Sequence, residues 1–282
     1  MKKYFFIPLC LLSALLLSDI AWAQTDTMAS IPVPVRKKRP KPIKHELSGG
    51  LRLNSDGWSL FLDRGKIKSP DRTTDYHYDL HFWQLEFGEK KHPQEIRRTN
   101  TIGSTADAAK PFIYGKANNF YALKVGYGKR KLIAGKPELN NEVEPGVISI
   151  HWVYMGGVSI GLEKPYYIEA YVTDPNTGVN ELKSITYTDT TKDAFLDQPF
   201  IVGGSGLGKG LGETKIVPGI HGKTGLHFDF AASKKTKLAI ETGLNVEIYT
   251  RGIELMAGQD ATPVFVNVYA SFQFGKRWAE KK

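Results

Sequence analysis

The chain has 282 residues, a formal charge of +9 and a mean hydropathy of −0.30. That hydropathy excludes a bundle of membrane-spanning helices, and the single cysteine, Cys10, lies in an N-terminal apolar run. If that run is removed, the rest of the chain has no disulfide, thiolate nucleophile or cysteine metal site. Lys2 and Lys3 precede the apolar stretch 4–17, and Ala21-Trp22-Ala23 is a small-x-small cleavage pattern. Residues 1–23 therefore read as a secretory signal peptide. The run is shorter than the ~20 residues of a spanning helix, and Asp19 interrupts it. Ile7-Pro8-Leu9 before Cys10 do not form a lipoprotein cleavage site.

Residues 24–45 read as a basic, proline-rich tether. The segment 36–44, RKKRPKPIK, is mostly Lys and Arg, and Pro32, Pro34, Pro40 and Pro42 keep the chain extended. Anionic lipid head groups or an acidic protein suit such a segment, and a plain solvated linker is the alternative. Nucleic acid is not an expected partner of an exported chain.

From there the chain reads as strands and loops. Residues 47–54 and 58–64 form a hairpin through Asp56-Gly57. Residues 78–87 alternate but change phase between Phe82 and Trp83, which predicts a β-bulge. Over 120–128, Tyr121, Leu123, Val125 and Tyr127 share one face. The segment 147–162 contains Gly156-Gly157, yet it reads as one strand. A hairpin there would pair Met155 with Val158, and these lie on opposite faces, whereas Trp152, Tyr154, Val158 and Ile160 keep one parity. A turn at 163–165 leads to a strand at 166–172. The three clearest strands are 219–230, 238–249 and the one from Val264 onward. These make nine, and a barrel with both ends on one side needs an even number. We expect about ten strands, within about eight to twelve, the missing one lying in 90–111 or 184–189.

Strand length decides the class. The C-terminal alternations persist for about 11 residues, against about 5–6 in globular strands and about 9–11 in tilted membrane strands. The expected fold is all-β, a transmembrane antiparallel up-and-down β-barrel. A secreted β-sandwich with the oily faces turned inward is the alternative.

The leader, the cysteine-free remainder and a last strand ending FQFGKRW, with Phe274 or Trp278 as its terminal aromatic, resemble outer-membrane β-barrel proteins of Gram-negative bacteria. AEKK follows Trp278, which departs from that pattern. The stretch KPFIYGKANNFYALKVGYGKRKLIAGK is similar to Bacteroidota-type barrels, loosely the PorT-like group. The resemblance implies a barrel over 46–278 in the outer membrane with the tether in the periplasm, and the connections near 89–111 and 173–215 are long enough to be functional loops. It implies lipid as the immediate partner, with other outer-membrane or periplasmic proteins reached through tether and loops.

The candidate site is the polar face expected to line the lumen: His221, Lys223, His227, Asp229, Glu241, Asn245, Glu247 and Tyr249. A network of paired charges, a path for polar solutes and a catalytic group are the three readings of that face. No cofactor is expected. His77 and His81 share a face but lie too far apart on a strand for a metal pair. Gly203 to Lys209 fits G-x-x-x-x-G-K, but Gly210 stands where Ser or Thr must hold magnesium, so a surface loop is expected. Trp58, Trp83, Trp152, Tyr166, Tyr167 and Trp278 read as interfacial girdle residues. The leading function is a non-enzymatic barrel, as a subunit of an envelope assembly, secretion or transport complex. The alternatives are a small pore, a lipid-modifying enzyme or protease, and the soluble binding protein.

Overall fold

A computed structural model describes residues 43–68, 79–100, 110–135, 148–174, 177–230 and 236–279. The expected leader, most of the tether, Cys10 and His77 lie outside the described residues. The strands are β1 (Ile43–Asn54), β2 (Gly57–Lys68), β3 (Asp79–Lys90), β4 (Arg97–Arg98), β5 (Phe112–Ile113), β6 (Asn118–Ala134) and β7 (Ile148–Pro165). They continue with β8 (Tyr167–Thr173), β9 (Asn180–Thr186), β10 (Ile201–Gly204), β11 (Lys215–Phe230), β12 (Thr236–Ile253) and β13 (Thr262–Ala279). A short helix, α1 (Lys192–Leu196), lies between β9 and β10.

Eight strands close a barrel in the order β1-β13-β12-β11-β7-β6-β3-β2. All neighbours are antiparallel, and β13 returns to β1 with Leu51 opposite Phe272. The barrel strands run from 12 to 18 residues, beyond the ~9–11 that a bilayer crossing requires. Burial alternates along them. On β2, Leu60 and Leu62 are 53% and 59% exposed, while Phe61 and Asp63, which alternate with them, are buried. Leu244, Val246, Val266 and Val268 continue the exposed apolar belt across β12 and β13. A belt of this extent is far beyond the apolar patches that soluble monomers expose, and hydrocarbon is its natural solvent. The sandwich alternative fails because the oily faces point out and the charged faces point in.

The strand count is eight rather than about ten. The segment 166–172 is a strand, but it belongs to a separate sheet, β10-β8-β9, in the connection between β7 and β11. Of the two regions suspected of holding the missing strand, 184–189 contributes residues 184–186, which pair with β8, and 90–111 contributes, beyond the end of β3 and among the described residues, only β4, which pairs with β5. Period alone does not separate a barrel strand from a strand in a folded loop. The bulge expected at Phe82/Trp83 is also absent: β3 keeps continuous register with β2 and β6. Leu80 and Phe82 instead point inward to join Ile67, Val153 and Met155 in a buried apolar cluster, while Trp83 starts the lipid face. The tether boundary moves as well, because Ile43 and His45 already pair with Ala279 and Trp278. The hairpin at Gly57 and the single long strand through Gly156-Gly157 are present as expected.

Connections differ between the two ends. Residues 55–56, 91–117, 166–214 and 254–261 join barrel strands at one end, and that end carries all the described loop structure. The other end holds the start of β1 and the end of β13. On its outer face Lys66, Lys68 and Lys131 are exposed beyond Trp83 and Tyr127, whose rings lie 5.2 Å apart, and Arg64 and Lys276 stand exposed in the row of Trp83. Apolar belt, aromatic row and basic row follow the order of a membrane interface.

Candidate functional site

The alternation that turns Ile240, Leu244 and Val246 outward turns Glu241, Asn245 and Glu247 inward. Glu241 is the centre of the lumen. It accepts hydrogen bonds from Lys223 Nζ at 2.9 Å, His227 Nδ1 at 3.0 Å, the Tyr269 hydroxyl at 3.1 Å and Gln273 Nε2 at 3.3 Å. The guanidinium groups of Arg52 and Arg130 each come within 3.8 Å of it. Arg52 also pairs with Glu86, and its flat face lies 4.7 Å from the Phe61 ring and 4.6 Å from the Tyr269 ring. Arg130 pairs with Asp63 and packs over Phe82.

Two further carboxylates anchor the network towards the ends. Glu46 accepts from Arg130 at 3.0 Å, Lys237 at 2.6 Å and Arg277 at 2.9 Å, and Arg277 also binds Asp229. Towards the loops, Glu247 meets Lys124 at 2.9 Å, Lys90 at 3.0 Å, Asn245 at 2.8 Å and the Tyr249 hydroxyl at 2.7 Å. Among the described residues, the enclosed paired groups of the lumen comprise seven cations, Arg52, Lys90, Lys124, Arg130, Lys223, Lys237 and Arg277. Seven anions oppose them: Glu46, Asp56, Asp63, Glu86, Asp229, Glu241 and Glu247. The formal charges balance, as desolvated ions must.

Apolar clusters lie beside the charges towards both ends. Ile67, Leu80, Phe82, Val153 and Met155 lie towards the terminal end, and Phe120, Val217, Tyr249, Ile253 and Leu255 lie under the loops. The lumen is a packed interior of paired charges and apolar side chains.

All eight residues singled out from the sequence face this interior. Lys223, His227 and Glu241 meet directly, as do Asn245, Glu247 and Tyr249. Asp229 joins Arg277 instead, and His221 Nδ1 lies 3.0 Å from Ser159 Oγ. That Ser–His contact has the spacing of a nucleophile and its base, but both side chains are buried. The partners from the first half of the chain, Glu46, Arg52, Asp63, Glu86, Lys124 and Arg130, were not read from the sequence. The same parity marks them: Arg52 lies between the exposed Leu51 and Leu53, and Lys124 between Leu123 and Val125.

Outside the lumen, His81 Nδ1 lies 2.6 Å from the Tyr127 hydroxyl, and no cluster of three or more metal-ligating side chains occurs among the described residues. The glycine-rich run has no phosphate-binding helix after it. Gly206 and Gly210 take positive φ, and only a single 3-10 turn, Leu211–Glu213, follows. Trp83, Trp152 and Trp278 lie on the outer face towards the terminal end, and Trp58 lies on the outer face towards the loops. Tyr166 and Tyr167 are not girdle residues; they belong to the loop layer, where the Tyr166 hydroxyl accepts from Ile113 N at 3.1 Å. The Tyr167 hydroxyl donates to Glu213 at 2.8 Å, and that bond raises its pKa above the ordinary tyrosine value. This layer has its own core of Phe112, Ile168, Ala170, Phe195 and Ile201.

The molecule is a closed, side-chain-filled transmembrane barrel with a folded loop layer at one end. No protein-family model matches the chain, and no curated protein matches it in sequence. Among solved structures, it is similar to the crystal structure of Neisserial surface protein A at 7% identity, covering 85% of this chain and 96% of that one, with a TM-score of 0.29. It is also similar to Ail, the attachment invasion locus protein of Yersinia pestis, solved in complex with the heparin analogue sucrose octasulfate. There the identity is 11%, the coverage 84% of this chain and 98% of that one, and the TM-score 0.27. At those scores the likeness carries no functional meaning, and the barrel assignment stands on the strand register.

Proposed function

We propose that this chain is a non-enzymatic barrel of the Gram-negative outer membrane and acts as a subunit of a larger envelope assembly, secretion or transport complex. The observation that carries this reading is the filled lumen. Balanced buried ion pairs packed with apolar clusters leave the interior a structural role, so that binding falls to the outer surfaces. Those surfaces are the loop layer with its own core and, on the periplasmic side, the basic proline-rich segment ahead of β1. The enzyme alternative has its best geometry at Ser159 and His221, where substrate has no approach. The pore alternative needs a polar path that the packed network fills.

Two measurements test the proposal. Purified barrel in a planar bilayer should give no stable conductance steps, and sustained channels would favour the pore. A mild-detergent pull-down from the native envelope should bring down stoichiometric protein partners, and the yield should fall when residues 24–42 are deleted while the barrel keeps its heat-modifiable gel mobility. Isolation of the chain alone under conditions that preserve known envelope complexes would overturn the subunit reading.

A further inference from the structure

A pocket of about 470 Å³ opens at the loop end, outside the barrel wall. Its volume lies in the usual range of ~300–1,000 Å³ for small-ligand sites. Six cations line it: Lys91, Arg97, Lys110, Lys116, Lys164 and Lys209. Among the described residues two acids line it with them, Glu89 and Glu95, which leaves the lining a formal excess of 6 − 2 = +4. Glu95 is taken by the buried Lys116 at 2.8 Å, and Glu89 by the Trp58 indole at 3.1 Å and, loosely, by Lys91 at 3.7 Å. The Lys164 ammonium, buried by the overhanging loops, donates to the Leu207 carbonyl. Arg97 and Lys209 have no ion pair among the described residues, and Lys110 lies only loosely against Glu169 at 3.8 Å. The lumen balances its charges and this pocket does not. An anion is the missing partner.

The pocket's position narrows the class of anion. Trp58, Glu89 and Tyr121 form its floor and are cross-strand neighbours, Trp58 opposite Glu89 and Glu89 opposite Tyr121. Two residues nearer the middle of the barrel on the same outer face stand Leu60, Phe87 and Leu123, again mutual neighbours, exposed by 53%, 41% and 37%. The pocket floor is therefore the next row above the apolar belt, at headgroup height. Aromatic rings line it alongside the cations, from Trp58, Tyr121, Tyr166 and Tyr167. Aromatic faces pack the C–H faces of a sugar ring while their polar edges hydrogen-bond its hydroxyls, and lysine and arginine bind phosphate oxygens. We propose that this pocket binds the phosphate-bearing saccharide headgroup of a lipid anchored in the loop-side leaflet, with its acyl chains lying along Leu60, Phe87 and Leu123. The glycine-rich run takes part through Gly206, Leu207 and Lys209. Its conformation brings a cation and open backbone to the rim without being a nucleotide loop.

The inference rests on the chain being a membrane barrel and not on its belonging to a complex. The test uses the full chain in nanodiscs of phosphatidylcholine doped with lipid A, a phosphorylated glucosamine disaccharide lipid, or with phosphatidylglycerol. Retained lipid is counted by native mass spectrometry after gentle detergent release. Wild type should retain lipid A over phosphatidylcholine by at least about tenfold. A variant with Arg97→Glu, Lys110→Glu and Lys209→Glu should lose that preference while keeping its heat-modifiable mobility, since these side chains lie outside the barrel wall. Equal retention of phosphatidylglycerol would overturn the saccharide assignment. Equal binding of soluble glucosamine 6-phosphate, without a membrane, would overturn the lipid source. An unchanged preference in the triple variant would overturn the pocket. Partner capture with no lipid A preference would sink this inference alone, and lipid A preference with no partner would sink the complex alone.

Discussion

Glu241→Ala is the sharpest test of how the lumen is held. The side chain is wholly enclosed. Its removal leaves Arg52 with Glu86, and Arg130 with Glu46 and Asp63, but Lys223 has Glu241 as its only ion-pair partner among the described residues. The variant thus strands one buried ammonium and withdraws an acceptor from His227, Tyr269 and Gln273. Breaking a buried pair in this way costs about 3–5 kcal/mol. Replacing both members by apolar groups, Glu241→Leu with Lys223→Met, should recover most of that loss, because no bare charge remains. The assay is urea unfolding in lipid vesicles, followed by tryptophan fluorescence and by loss of the heat-resistant gel band. A single variant within about 1 kcal/mol of wild type, or a double variant no better than the single, would refute the account of the lumen as a desolvated charge network.

Leu244 lies at the middle of β12 and is 52% exposed, so Leu244→Lys should cost about 2–4 kcal/mol. Ile240→Lys, nearer the terminal end of the same face, should cost less by the same vesicle titration, and equal costs would contradict the depth assigned to the belt. Gly57 begins β2 at φ 145°, and a Cβ there would fall 2.0 Å from the Glu89 carbonyl oxygen; Gly57→Ala should therefore destabilise the barrel by more than about 1 kcal/mol. Phe195→Ala empties the centre of the loop core at about 3–5 kcal/mol to that layer. Limited proteolysis should then cut within 177–214 while the barrel band stays heat-modifiable, and loss of the band would show that the two are not separable.

The barrel was legible because its outer face is written at period two over long stretches. Parity also settled β7, where Gly156-Gly157 imitates a hairpin but Met155 and Val158 disagree on the face. Parity misled where the inside is itself apolar. Leu80 and Phe82 fill a mouth of the barrel, and a change of phase looks the same whether a strand bulges or the lumen turns greasy. It also misled at 166–172, since Ile168 and Ala170 are inward-facing in a small sheet of their own. The charge partners on β1, β2, β3 and β6 obey the same alternation and were open to it. The loop pocket was not, because its cations are scattered from Lys91 to Lys209 and only the fold of the connections gathers them.

The ion pairs at Glu46 bear on time as well as on structure. Glu46 belongs to the first strand, while its partners Lys237 and Arg277 stand 191 and 231 residues further along the chain. Neither contact can form until the barrel closes β13 onto β1, and the long sequence separation leads us to expect that closure late in assembly. Interactions absent from the folding transition state leave the rate of closing nearly untouched and act on the rate of opening. The seam between β1 and β13 is therefore a late-forming latch: weakening Glu46 should shorten the lifetime of the finished barrel by far more than it slows its formation.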